Sequence, residues 1–519
     1  MKKLFYPLAF LLCASVWVHA QSELIIEPGA PGVINSTIAG DTTATGERND
    51  PDRVYILRRG FPYILTESVE FSDYHLRIKA EAGEGNRPFI IVDSGADPIS
   101  QIFRLNGSAS LTLEGLHVSG QDILGAYNSR IIRINADNAE LRVNDCLLEE
   151  IGQACLRVQG DDPKIFVTNS VVRNAGRPFN PDNGRFIDNR GVPIDTLWVE
   201  NSIIYNVTSR IYRNGSGNAL NWAKFNQNTF WGIGQHGFTL GNLKDMEFTN
   251  NIVGNAVFLG RLEEDQDTLE TATYWMEIDT FDAAVNNINI SHNNWFLDPQ
   301  IAAAYPINEP DGRPRIAVNT DLIFDINTQA ANSDGGTAET NIIEALTFTN
   351  GPVLPLQFIT ASAQDTTSGS EIPTAEPWDF SNLEVDTDLS AIGTGNVDRY
   401  RQVHDFSYLT STNSYSAGDE GQPIGADPSI PTAAPDIFIE NGILYYPNPV
   451  QDRLILQNLA DTGIDQIQLF NLMGQRILQQ KTNNDAIVEL HLGSLQAGTY
   501  LLSVIDEKGQ VSSRKIVKQ

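Results

Sequence analysis

The sequence predicts an all-β protein, a parallel β-helix followed by a small antiparallel β-sandwich. One observation is a template repeated seven times: apolar, any, apolar, any, then usually a polar pair. Its copies are Leu111-Thr-Leu-Glu-Gly-Leu, Leu141-Arg-Val-Asn-Asp-Cys, Ile165-Phe-Val-Thr-Asn-Ser, Leu197-Trp-Val-Glu-Asn-Ser, Ala223-Lys-Phe-Asn-Gln-Asn, Met246-Glu-Phe-Thr-Asn-Asn and Ile288-Asn-Ile-Ser-His-Asn. Most copies start about 23 to 32 residues after the one before, a solenoid period. A second observation is a short alternating segment between copies, such as Phe103-Arg-Leu-Asn, Ile132-Arg-Ile-Asn, Leu156-Arg-Val-Gln, Phe186-Ile-Asp-Asn and Ile211-Tyr-Arg-Asn. Each coil therefore gives strands to at least two sheets. A third is the alternation in Arg453-Leu-Ile-Leu-Gln, Ile467-Gln-Leu-Phe-Asn and Thr499-Tyr-Leu-Leu-Ser-Val, split by Gly and polar turns, which predicts the sandwich.

Taken in order, residues 1–20 combine Met1-Lys-Lys, an apolar run from Leu4 to Val18 and a Val18-His-Ala cleavage site, a secretory signal too short to span a bilayer. Residues 21–53 form an N-terminal cap, and Val54-Tyr-Ile-Leu enters the helix, which extends over 54–300. In each coil apolar positions stack into interior ladders, and the recurring Asn and Ser can hydrogen-bond from one coil to the next. The template loosens after Leu262, so 301–435 is a loop-rich closing part ending in the linker Ile430-Pro-Thr-Ala-Ala-Pro. Residues 436–519 are the sandwich.

The formal net charge of -30 argues against nucleic acid and anionic membranes as partners. Beyond the signal no run of roughly 18 apolar residues offers a membrane span. Only Cys146 and Cys155 follow the signal, too few for a disulfide scaffold, and a local bridge or two free thiols are both open.

The helix resembles the pectate-lyase-like right-handed β-helix superfamily, and His404-Asp-Phe-Ser-Tyr with Gly421-Gln-Pro-Ile-Gly-Ala-Asp resembles the closing segment of its secreted bacterial members. That fold hosts lyases, hydrolases, adhesins and inert surface proteins, so it does not fix an activity. The motifs Tyr446-Pro-Asn-Pro, Leu469-Phe-Asn-Leu-Met-Gly-Gln, Leu495-Gln-Ala-Gly-Thr-Tyr and Arg514-Lys-Ile-Val-Lys resemble the type A C-terminal sorting domain of type IX secretion. This resemblance implies the type IX secretion machinery as partner, and a secreted or outer-surface-attached protein of a Gram-negative bacterium.

Candidate chemistry concentrates on the alternating segments. If Phe103, Ile132 and Leu156 point inward, then Arg104, Arg133 and Arg157 point outward from successive coils and form a basic stripe. Guanidinium groups stacked about 4.8 Å apart repel unless carboxylates or an anionic ligand intervene, which suits an acidic polysaccharide. The alternative is that neighbouring Asp and Glu pair with them. Tyr212, Thr239 and Phe258 are expected to continue this column, placing an aromatic beside the basic groups.

A β-eliminating lyase needs a base and a cation, for which Lys224, Arg210, Arg213 and His236 are the available groups. The segment from Asn226 to Asn242 is similar to the alginate- and chondroitin-lyase β-helix family, but that family places an arginine after its Thr-Leu where this chain has Gly241. Calcium is the one cofactor considered, with Asp188, Glu200 and Asp195 as ligand candidates. No adjacent aspartate pair lies in the repeats, and Asp161-Asp162 precedes Pro163 in a loop. The expected function is glycan binding through Arg104, Arg133, Arg157 and Tyr212; the alternative is a polysaccharide lyase acting on a uronate-containing glycan.

Overall fold

The computed structural model describes residues 22–95, 99–123, 125–176, 183–215, 217–234, 237–256, 274–304, 323–333, 340–352, 404–430, 436–440, 443–458, 463–483, 485, 487–507 and 511–519. The expected signal at 1–20, His236 and Phe258 lie outside the described residues.

Short alternating strands follow one another round a coil, and each pairs in parallel with its counterpart in the next. One coil consists of Glu140–Asn144, Leu147–Ile151 and Ala154–Val158, and the next begins with Lys164–Thr168. Stacking gives three parallel sheets, of ten, nine and eight strands in the order in which the chain visits them. The result is a parallel β-helix. Its interior is a continuous apolar column including Leu141, Ile165, Leu197 and Ala223 from the first sheet, and Leu148, Val172 and Ile204 from the second.

The polar pair of the template makes the corner between the first and second sheets. Its first residue takes a left-handed conformation, with φ of 51° at Asp145, 50° at Asn169, 46° at Asn201, 52° at Gln227 and 59° at Asn250. Asn and Asp tolerate that region because their short side chains bond locally. Its second residue turns inward and bonds along the stack. Cys146 N–H donates to Ser170 Oγ at 3.1 Å, Ser170 N–H to Ser202 Oγ at 3.2 Å, and Ser202 N–H to Asn228 Oδ1 at 3.1 Å. The chain of bonds continues from Asn228 N–H to Asn251 Oδ1 at 2.9 Å and from Asn251 N–H to Asn293 Oδ1 at 2.8 Å. These bonds satisfy buried corner amides that the sheets cannot reach.

The second sheet starts immediately after this corner, so residues such as Val171–Ala175 and Ile203–Val207 are strands in their own right. Another left-handed residue, Glu150, Asn174, Asn206, Gly232 or Asn255, stands next to last in each of these strands and directs the chain toward the third sheet.

The N-terminal cap contains strand Glu23–Ile26, which extends the first sheet, and helix Val33–Gly40, which buries Ile34 and Ile38 against the core. At the other end Phe324, Asn332 and Ile342 add one rung by single bridges to Met276, Ile288 and Asn294. Residues 404–430 then lie over the outer face of the second sheet. Phe406, Ala426 and Ile430 cover Leu147, Val171, Ile203, Tyr205 and Trp231.

The last domain is a pair of four-stranded antiparallel sheets around Tyr445, Leu456, Ile467, Leu490 and Leu502. Its Leu444 and Tyr446 pack on Ile64, Phe89 and Ile91 of the first coils, with the Tyr446 and Phe89 rings 6.0 Å apart. Cys146 and Cys155 are both buried free thiols, and burial pushes the Cys146 thiol up to about 12.

Candidate functional site

The third sheet carries the predicted stripe on its outer face. Register places Glu70, Arg104, Arg133, Arg157, Asp188, Arg213, Thr239 and Glu277 in one column along the helix axis. Parallel pairing repeats the same outward position every coil, so identical residues stack at about 4.8 Å.

Carboxylates stand within this column on both sides of the three arginines. Arg104 Nη1 lies 3.5 Å from Glu70 Oε1. Arg157 directs Nε and Nη2 to Asp188 Oδ2 at 3.0 and 2.9 Å. Asp188, fully buried, also has Arg213 Nη1 at 3.3 Å and a nitrogen of Arg185 and of Arg190 each at 3.8 Å. One carboxylate thus serves four guanidinium groups. Arg133 sits between Arg104 and Arg157 with no carboxylate in ion-pair range among the described residues, and its Nε donates to Asn135 Oδ1 at 3.0 Å. Burial first, then the Arg104 charge, lower the Arg133 guanidinium pKa from its ordinary value. The Arg104 Nε is buried without a hydrogen-bond partner among the described residues. An anion placed over Arg104 and Arg133 would pair with the accessible parts of their guanidinium groups through charge-assisted, bidentate bonds.

Other expectations require correction. Tyr212 does not belong to the outward column. It pairs with Ile187 in the inward row and is fully buried, and Arg213 takes the outward place. The reason is a double apolar start, Phe186-Ile187 and Ile211-Tyr212, in which both residues enter the core at the corner and shift the alternation by one. Thr239 does continue the column.

Among the described residues, the groups considered for a lyase fall on two different sheets, with Arg210 and Arg213 sharing the strand Arg210–Asn214. Lys224 is on the first sheet, 3.1 Å from Glu200 and 4.3 Å from the centre of the Trp198 ring, whereas Arg213 is on the third. The calcium candidates are likewise separate. Asp188 is engaged by arginines. Glu200 accepts from Trp198 Nε1 and Asn226 Nδ2, both at 2.9 Å, and Asp195 pairs with Lys164 at 3.5 Å. Burial raises the Glu200 pKa, but the bonds from Asn226, Lys224 and Trp198 outweigh it and hold the carboxyl below the usual range. No group of three His, Cys, Asp or Glu among the described residues could hold a metal ion.

Sequence reasoning missed a buried polar chain on the second sheet. His117 Nε2 lies 2.7 Å from Glu149 Oε1, and Arg173 bonds Glu149 Oε2 through Nε at 2.8 Å. Arg173 Nη1 donates to the Tyr205 hydroxyl at 2.9 Å, which lies 2.9 Å from His404 Nδ1. Burial lowers His404 to about 3, so the ring is neutral and Nδ1 accepts from Tyr205. The missed signal was spacing: Glu149, Arg173 and Tyr205 each fall three residues after a ladder residue, Cys146, Ser170 or Ser202.

Fold and surface define a parallel β-helix passenger with an arginine column, joined to a C-terminal β-sandwich. Residues 444–519 match the secretion system C-terminal sorting domain, so the chain ends in that domain and is a secreted or cell-surface protein of a Gram-negative bacterium. An ulvan lyase of Nonlabens ulvanivorans is 31% identical over 72 residues, which is 14% of this chain and 13% of that relative. No helix among the described residues is long and apolar enough to cross a membrane.

Proposed function

We propose that the exported β-helix binds an acidic polysaccharide along the arginine column. The observation that carries this reading is Arg133, stacked between Arg104 and Arg157 with no carboxylate in ion-pair range among the described residues. A uronate chain presents a carboxylate on each sugar, so several can meet successive coils. On a chain with a net charge of -30, this concentration of arginine is local and favours attraction at close range over long-range steering.

The alternative reading is a polysaccharide lyase, favoured by the relative named as an ulvan lyase and opposed by the separation of Lys224 from Arg213. Electrophoresis through gels containing alginate, pectate or chondroitin tests binding, while absorbance of unsaturated uronate in parallel incubations tests cleavage. Retardation that is lost when Arg104, Arg133 and Arg157 are replaced by Ala, without new absorbance, supports binding. Product that forms with the wild type and disappears in Lys224→Ala or Arg157→Ala would replace the binding reading with the lyase.

A further inference from the structure

A groove of about 800 Å³ runs along the corner between the first and second sheets, on a different side of the helix from the arginine column. Its floor is the row of left-handed corner residues Asn169, Asn201 and Gln227, one from each of three successive coils. Its far wall is the closing segment, which contributes the rings of Tyr408 and Tyr415. A smaller space of about 190 Å³ shares Gln227 and continues to Asn250 on the next coil. The corner row from Asn169 to Asn250 thus covers three coil spacings, or about 14 Å.

The wall is fixed in place by bonds that leave much of the lining unused. Tyr408 donates its hydroxyl to Ile424 O at 2.7 Å, Asp427 N–H bonds Asn201 Oδ1 at 2.8 Å, and Ala426 N–H bonds Thr229 Oγ1 at 3.1 Å. Along the floor, Asn201 donates one amide hydrogen to Asn169 Oδ1 at 2.8 Å and Asn169 donates one to Asn144 Oδ1 at 2.9 Å. Each amide nitrogen carries a second hydrogen. The Gln227 side chain and the Tyr415 hydroxyl bond no described residue, and Tyr415 is 41% exposed.

From this geometry we propose that the groove binds a neutral linear oligosaccharide lying along the helix axis, with about one sugar per coil. Amides repeated at the coil spacing match the length of one pyranose in an extended chain. They supply the donors and acceptors that hydroxyl groups need, and a tyrosine ring supplies an apolar face for sugar C–H groups. The exposed Asp427 on the wall disfavours anionic sugars here. The site therefore differs in ligand class from the arginine column and does not depend on it.

Isothermal titration of the purified exported chain with xylohexaose, cellohexaose, mannohexaose and laminarihexaose tests the proposal, with hexagalacturonate as the anionic probe. At least one neutral hexasaccharide is expected to bind at up to about millimolar concentration, and Tyr415→Ala and Gln227→Ala should each weaken it about fivefold or more. Both side chains are off the core, so unchanged thermal melting will show that the variants are folded. Arg133→Ala should leave neutral binding intact, which separates this site from the arginine column. The proposal is overturned if no neutral hexasaccharide binds, if neither groove variant weakens binding, or if hexagalacturonate alone binds and depends on Tyr415.

Discussion

Asp188 occupies, one coil later, the column position of Arg157, and the two side chains meet at 2.9 Å in a pocket where Asp188 is wholly buried. A carboxylate held this way is both the counter-ion of the arginine cluster and its weak point. Replacing it with Ala removes the carboxylate that Arg157, Arg185, Arg190 and Arg213 share. Asp188→Ala should destabilise the helix by about 3–5 kcal/mol, read as a lower urea midpoint.

The corner ladder should be similarly costly to interrupt. Asn251 accepts from both the main-chain and side-chain amides of Asn228 and donates to Phe225 O at 2.9 Å. Asn251→Ala strands these buried groups at about 1–3 kcal/mol for each left unsatisfied. Asn251→Ser should recover part of the loss, since serine fills the same ladder position at Ser170 and Ser202, and chemical denaturation can rank the three proteins.

Acid should loosen the closing segment through His404. Its pKa is lowered from 6.5 to about 3 by burial, with the Arg173 charge adding to the effect, so the unfolded chain takes up a proton that the folded chain refuses. The stability that follows is present above pH 6.5 and is lost as pH falls toward 3, with a slope approaching about 1.4 kcal/mol per pH unit. In His404→Asn that contribution is removed, and unfolding measured between pH 7 and 4 should show a correspondingly shallower decline.

The sorting domain should protect the first coils. Tyr446 is fully buried against Phe89, and Arg453 Nη2 donates to Arg59 O at 3.3 Å from the same domain. Tyr446→Ala should cost about 3 kcal/mol and raise the fluorescence of a dye that binds apolar surface, as Ile64 and Ile91 become accessible. Unchanged dye binding would mean that the contact carries no weight.

Much of the helix was legible because period-two alternation and a solenoid spacing leave a clear trace, and the ladder of Ser170, Ser202, Asn228 and Asn251 follows from the repeated polar pair. The second sheet was less visible because a two-residue corner separates it from the first. Its strands then read as a continuation, as at Val171 and Ile203. The stripe of Arg104, Arg133 and Arg157 was legible from single outward positions. Tyr212 was not, because Ile211 and Tyr212 are both apolar and only the coil register decides which begins the alternation. Asp188 as the hub of four arginines, and His404 against Tyr205 across 199 residues, depend on contacts between coils and segments that no local pattern encodes.

The arginine column is tested most directly by titrating hexagalacturonate into the wild type, Arg133→Ala and Arg133→Lys at low and physiological salt. Binding should weaken about tenfold in Arg133→Ala, should be restored only in part by Lys, which keeps the charge and loses the fork, and should fall as salt rises. Hexagalacturonate binding that is absent from the wild type, or equally tight in Arg133→Ala, would contradict an acidic-glycan site on this column.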